Sequence, residues 1–385
     1  MISCTDGGSN IVAAVEATGI SRLWCLCHLI DLAVNEALDG SSKMVTDTIT
    51  KVKEIANLYH RSTVASKNLH NIQRQDNAIQ GFINKIYKIK QMVRTRWNSC
   101  HDMIMSVLLI YDNINLSLHQ LNEHAKQLND DEVDLLSAIS MILRPVSQLT
   151  KVLEADKTPT SNLALPYTLE TLHLIDSWTA HRDDGFHSYP LSNPVRNAIA
   201  AFKKKLHQSL QQRLQTVKTD QFYKVASFLT PKFKRLTFCT DNEFNDVRRA
   251  VTSMMRVMVP TNQTTDRTSC TASSSEGRQR MSLTGNFGIS DAETGDIRRM
   301  ELENYLAMRV NIDTTDDPIA FWISHRDLFP NLYEIAFEYL HVPMSSASCE
   351  RIFSVMERIV SSGRYRLLPE TSSMLLFMKE HSERW

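Results

Sequence analysis

Residues 3–38 read SCTDGGSNIVAAVEATGISRLWCLCHLIDLAVNEAL, and the fold turns on how this stretch is parsed. A short run ends at Asp6, where Gly7 and Gly8 let the backbone turn sharply. The spacing that follows predicts a helix from Ser9 or Asn10 to a stop at Gly19. RLWCLC is short, apolar and bounded, which predicts a buried strand over 22–27. A second helix is predicted from His28, with Leu29, Leu32, Ala33 and Leu38 inward and an end near Gly40. Strand, helix, strand, helix is the middle of an α/β fold.

Working outward, the next two hundred residues change character. From 43 to 260 the apolar spacing is helical, as in PVRNAIAAFKKKLHQSLQQRL, where Val195, Ile199, Phe202, Leu206, Leu210 and Leu214 share one face. Residues 261–296 are rich in Thr, Ser, Gly and Asp and nearly empty of large apolar groups, the composition of a disordered linker. Helical, aromatic-rich sequence resumes at about 297 and runs to 385. The expected fold is mostly α with a small α/β part.

Composition narrows the function classes. Lys+Arg 43 against Asp+Glu 43 leaves no net charge, so no global basic field draws the chain to nucleic acid. Seven scattered cysteines do not form a disulfide framework, which favours a reducing compartment. No apolar run reaches the length of about 18–20 residues that spans a bilayer. No membrane and no small-molecule substrate is implied.

Four places can carry chemistry, and each has a plainer alternative. Asp6 at a strand end can ligate a divalent cation or cap the following turn. Cys25, Cys27 and His28 look like part of a metal site, but a structural zinc needs four ligands, and a second close pair is missing, which favours core packing. Trp97 between Arg94 and Arg96 can stack on an unpaired base while the arginines hold phosphates, or simply anchor a core. Glu350 falls in the first turn of a helix whose apolar face is Ile352, Phe353, Met356, Ile359 and Val360; it can complement the helix dipole or ligate a metal.

Taken in order, TDGGSNIVAAV, CLCH with LIDLAVNEAL, RTRWNS and SSASCERIFS resemble the landmarks of a hAT-superfamily transposase, especially its BED zinc-finger relatives. DPIAFW and FPNLYEIAFEYLHVP resemble that family's C-terminal dimerisation region. The resemblance implies an RNase H-like domain interrupted by a large helical insertion, with a Mg²⁺-dependent DDE site. It divides the chain into a partial RNase H-like core (1–42), the insertion (43–260), the linker (261–296), and a dimerisation region with the closing helix (297–385).

Residue by residue, Asp6 matches the second Asp of the site and Glu350 the final Glu, the only Mg²⁺ ligands of the set found here. Trp97 matches a Trp that handles a flipped base. Arg94 and Arg96 fall to DNA binding, and Cys25 and His28 match a C-x-x-H pair with a structural or DNA-end-positioning role. Trp322, Phe329, Leu332, Phe337 and Tyr339 are expected at a dimer interface. The family's first Asp and its zinc finger have no counterpart, so the expectation is an N-terminally truncated, catalytically incomplete nuclear protein. It would need no cofactor, form a homodimer and bind DNA weakly at most. A fragment of an active transposase and a helical protein-binding scaffold are the alternatives. The helix after Cys349 is expected to pack Ile352, Phe353 and Met356 onto the small sheet.

Overall fold

The computed structural model describes residues 2–80, 85–92, 98–179, 191–255, 291–309, 317–359 and 368–380. The first strand, β1 (Ile2–Thr5), lies parallel to β2 (Ser21–Trp24), with Ile2 opposite Ser21 and Thr5 opposite Trp24. A parallel pair needs a crossover, and helix α1 (Ser9–Thr18) supplies it. Gly19 ends α1 at φ +67°, a left-handed geometry that glycine adopts without strain. Gly7 is required by close approach, because a Cβ there would sit 2.8 Å from the Trp24 ring.

The next helix, α2 (Leu26–Asp39), starts two residues earlier than its sequence suggests. Its inward face is Leu26, Ile30, Ala33, Val34, Ala37 and Leu38, while Leu32 is exposed. The chain continues through α3 (Lys43–Arg61), α4 (Thr63–Gln80), α5 (Asn98–Leu108), α6 (Tyr111–Gln120), α7 (Asp130–Leu153), α8 (Ser161–Ser177), α9 (Asn193–Arg213) and α10 (Gln215–Thr219). The apolar face of α9 is buried as its spacing predicts, from Val195 to Leu210, and it packs on α2. An Asn129–Glu132 capping box starts α7, which runs unbroken through Pro145. Among the described residues of 43–223 the regular structure is helical, with 85–92 a non-helical connection.

Two compact units divide the chain. One is Met1–Tyr223 with Val342–Trp385, so it is built from both ends of the sequence; the other is Lys224–His341. No boundary falls at 42/43, because α2 packs on α9 and α7 rather than standing apart. Nor is 297–385 one piece, since the division falls at 341/342.

The Lys224–His341 unit contains most of α11 (Gln221–Phe228), then α12 (Asp241–Met254), α13 (Asp291–Ala307), α14 (Pro318–Ser324) and α15 (Pro330–Leu340). Of the expected linker, 261–290 lies outside the described residues, and 291–296 form the first turns of α13. The centre of the unit is aromatic. Tyr305 and Trp322 have ring centres 5.2 Å apart, with Phe321 and Phe329 around them. The polar atoms of these two rings each find a carbonyl: Tyr305 Oη donates to Phe228 O at 3.0 Å and Trp322 Nε1 to Leu229 O at 2.7 Å. Glu301, 8% exposed, accepts from Leu332 N at 2.9 Å and Asn331 Nδ2 at 2.8 Å, capping α15 from α13. Lys234 Nζ donates to Tyr305 O and Met308 O at the other end of α13.

This core corrects one expectation. Trp322, Phe329 and Leu332 are at most 1% exposed inside their own unit, so they are not surface that a second copy can cover. Phe337 and Tyr339 are half-buried, and the Tyr339 hydroxyl lies 3.3 Å from Met254 Sδ. The aromatic richness of 317–341 is consumed by the unit's own interior.

The chain returns to the first unit as α16 (Ala347–Ile359) and α17 (Pro369–Glu380). Phe353 does not pack on the sheet; it is 69% exposed, and Ile352 and Met356 are half-buried.

Candidate functional site

The two ends of the chain meet at the β2–α2 junction. Cys25 N donates to Thr5 O at 2.8 Å, and the next amide, Leu26 N, donates to Met344 O at 2.9 Å. Met344 N in turn donates to Thr160 Oγ1 at 3.0 Å, and Met344 itself is fully buried. Asp6 follows Thr5 directly, and Glu350 follows Met344 by less than two helical turns. The segments that carry both candidate carboxylates are therefore stitched through one pair of residues, Cys25 and Leu26. Arg351 Nη2 fixes the start of α16 by donating to Glu154 O at 3.2 Å and to Asp156 Oδ1 in the loop after α7.

Cys25 is the hub of this junction. It is the N-cap of α2, with its sulfur accepting from His28 N at 3.4 Å, three residues on, where a Ser or Asp cap would accept. The same sulfur accepts from Ser346 N at 3.3 Å and lies 3.9 Å from Ser345 Oγ. Hydrogen bonds from the Cys27 and then the Cys4 thiol hold the Cys25 pKa far below the ordinary thiol range. The bond to Cys25, followed by burial, pushes Cys4 and Cys27 well above it.

Of the two roles open to Cys25, structural and DNA-end positioning, its 2% exposure matches the structural one: it offers no surface, and it serves the cap and the seam. His28 is half-buried beside it. Arg94, Arg96 and Trp97 lie outside the described residues.

Both carboxylates are occupied locally. Asp6 Oδ1 accepts from Gly8 N at 3.1 Å, bracing the turn into α1, while Arg22 Nη1 donates to the Asp6 carbonyl at 3.3 Å. Glu350, exposed in the first turn of α16, accepts from Ser346 Oγ at 3.2 Å. Arg22 also lies 4.1 Å from the centre of the Trp24 ring. Sequence reasoning passed over Met344, Ser345, Ser346 and Thr160, the residues that close the seam. Their one signal was the serine run before Cys349, which reads equally well as an ordinary helix start.

Comparison with known proteins bears on exactly these segments at both ends. Residues 301–382 match the hAT family C-terminal dimerisation region. Residues 23–142, from β2 into α7, match the ZBED1 RNase-like helical domain. Together the two matches support a hAT-derived protein. The chain is 21% identical over 384 residues to human zinc finger BED domain-containing protein 4, covering 98% of this chain and 30% of the relative. It is 22% identical over 377 residues to a putative AC transposase of Zea mays, covering 92% of this chain and 43% of the relative. The chain thus spans less than half the length of either curated relative. No described helix is long and apolar enough to cross a membrane.

Proposed function

We propose that this chain is a transposase-derived, catalytically incomplete nuclear protein that dimerises through its C-terminal hAT region and holds DNA weakly. The observation that carries the reading is a hAT dimerisation region on a chain whose two candidate carboxylates both serve local turns. The parallel β1–α1–β2–α2 unit, rejoined by α16, supports reading this corner as part of an RNase H-like fold with the later helices as its insertion. A transposase ancestry favours the nucleus as the place of work.

The DDE resemblance implies Mg²⁺, and the residues can be tested against it. Two ions about 3.5–4 Å apart need carboxylates that bridge them. Asp6 and Glu350 are two, each already accepting a hydrogen bond from its own turn. Among the described residues no group of three His, Cys, Asp or Glu is placed to hold a metal ion. These residues do not fit a two-metal pair, and no step is derived through one.

The test is a cleavage assay on terminal-repeat and arbitrary duplexes with Mg²⁺ or Mn²⁺. Nicking no faster than that of Glu350→Ala is expected, together with binding that weakens steeply with salt. Metal-dependent cleavage that disappears in Glu350→Ala would overturn the catalytic part of the reading. Binding indifferent to salt, or none at low salt, would leave a scaffold for protein partners instead.

A further inference from the structure

Three free cysteines, Cys4, Cys25 and Cys27, gather at the seam, and the strand ladder brings two of them together. Cys4 stands opposite Leu23 in the β1–β2 register, and the bond from Cys25 N to Thr5 O carries that ladder one step beyond β2. The backbone at Cys25 is still extended, at φ −61° and ψ 109°. Successive side chains of extended backbone alternate between faces, so Cys25 shares the face of Leu23 and therefore of Cys4. The half-buried Cys4 thiol reaches across and hydrogen-bonds to Cys25. Cys27 also hydrogen-bonds to Cys25, but it belongs to the first turn of α2, and its thiol lies 3.9 Å from Thr150 O on α7. Residues two apart in a helical turn point their Cβ atoms apart, which a disulfide does not tolerate.

The Cys25 sulfur is the reactive one of the three. It sits at the N-terminus of a 14-residue helix and accepts two backbone N–H groups, from His28 and Ser346. That environment favours the thiolate, the form that attacks an oxidant. At 2% exposure the sulfur admits a small peroxide rather than a bulky disulfide. We infer that Cys4 and Cys25 form an oxidative modification site, closed to a disulfide by hydrogen peroxide, which loosens the join between the two ends of the chain. The Cys25 thiolate attacks one peroxide oxygen, and the O–O bond breaks to leave a Cys25 sulfenic acid and hydroxide. The Cys4 sulfur then attacks the sulfenic sulfur, whose oxygen leaves as water with the Cys4 proton. Two thiols are oxidised and one peroxide is reduced to two waters. A neutral disulfide sulfur accepts far more weakly than a thiolate, so the Ser346 and His28 amides lose their partner together. The bond from Leu26 N to Met344 O involves no sulfur and remains, so 342–346 loosens without leaving.

Peptide mapping of the full chain before and after treatment with hydrogen peroxide tests the pairing. Trypsin leaves Cys4 in 1–22 and both Cys25 and Cys27 in 23–43, and fragmentation of the linked peptides separates Cys25 from Cys27. A Cys4–Cys25 link is expected in the parent and in Cys27→Ser, none in Cys4→Ser, and dithiothreitol should reverse it. With the link formed in the parent, the Ser346 and His28 amides should exchange with solvent at least tenfold faster. A Cys25–Cys27 link, a Cys25 sulfinic acid without any link, or a Cys25 untouched by peroxide would overturn the pairing. A Cys4–Cys25 link that leaves both amides exchanging as before would overturn the loosening.

Discussion

A Trp322→Ala chain is expected to lose about 3–5 kcal/mol from the Lys224–His341 unit. The indole is fully buried, and its ring shares the centre of the unit with Tyr305 at 5.2 Å and Phe329 at 6.4 Å. Removing it opens a cavity among groups held by three separate helices, α13, α14 and the start of α15. It also strips Leu229 O of the indole N–H at 2.7 Å, leaving a buried acceptor unpaired. Domains have a total stability of about 5–15 kcal/mol, so this loss removes a large share of it. Hydrogen exchange over 225–255 and 301–340 should therefore be faster by about two to four orders of magnitude, at 1.4 kcal/mol for each tenfold. A loss under about 1 kcal/mol would mean the indole sits at a surface, as an interface anchor would, and would restore the dimer role that the core position denies it.

Met344→Asp is expected to be comparably damaging in the other unit. Met344 is fully buried, its amide and carbonyl engaged by Thr160 Oγ1 and Leu26 N. A carboxylate in that position is without a cationic partner and either stays neutral or expels the segment, at a cost of several kcal/mol. Expulsion takes the Ser346 N–H away from Cys25 and moves α16 off its Arg351 anchor. A thermal melt of the variant should show the Met1–Tyr223 and Val342–Trp385 unit melting roughly 10 °C or more below the parent, taking about 2–4 °C for each kcal/mol. An unchanged melt would show that 342–346 is only draped on the junction.

Much of the helical architecture is legible in the sequence because it is local. The α9 face, the Asn129–Glu132 and Thr240–Glu243 capping boxes and the Asp317–Pro318 helix start all declare themselves within a few residues. Periodicity reports that a side chain is buried, though, and not against what. That is why the aromatic run from Trp322 to Tyr339 reads as interface and proves to be largely interior. Cys25 misled for a different reason: thiols are rare caps, so a sulfur that starts a helix looks like the end of a strand. The seam itself joins residues more than three hundred positions apart, a pairing that no local pattern encodes. Only the order of the motifs hinted that the segments preceding Asp6 and Glu350 meet at one junction.

Native-state hydrogen exchange on the unaltered chain tests the central claim most directly. The claim is that 342–359 is an integral part of the unit formed by the N-terminal half, closed at Cys25 and Leu26. The amides of Leu26, His28, Met344 and Ser346 are all bonded at that seam. Segments that belong to one cooperative unit open together as denaturant is raised. The account predicts that these four amides exchange slowly, with the same denaturant dependence as the interior of α2 and α7. Rapid exchange of Met344 and Ser346 while α2 and α7 stay protected would contradict it, and the corner that joins Asp6 to Glu350 would then not be a stable feature of this protein.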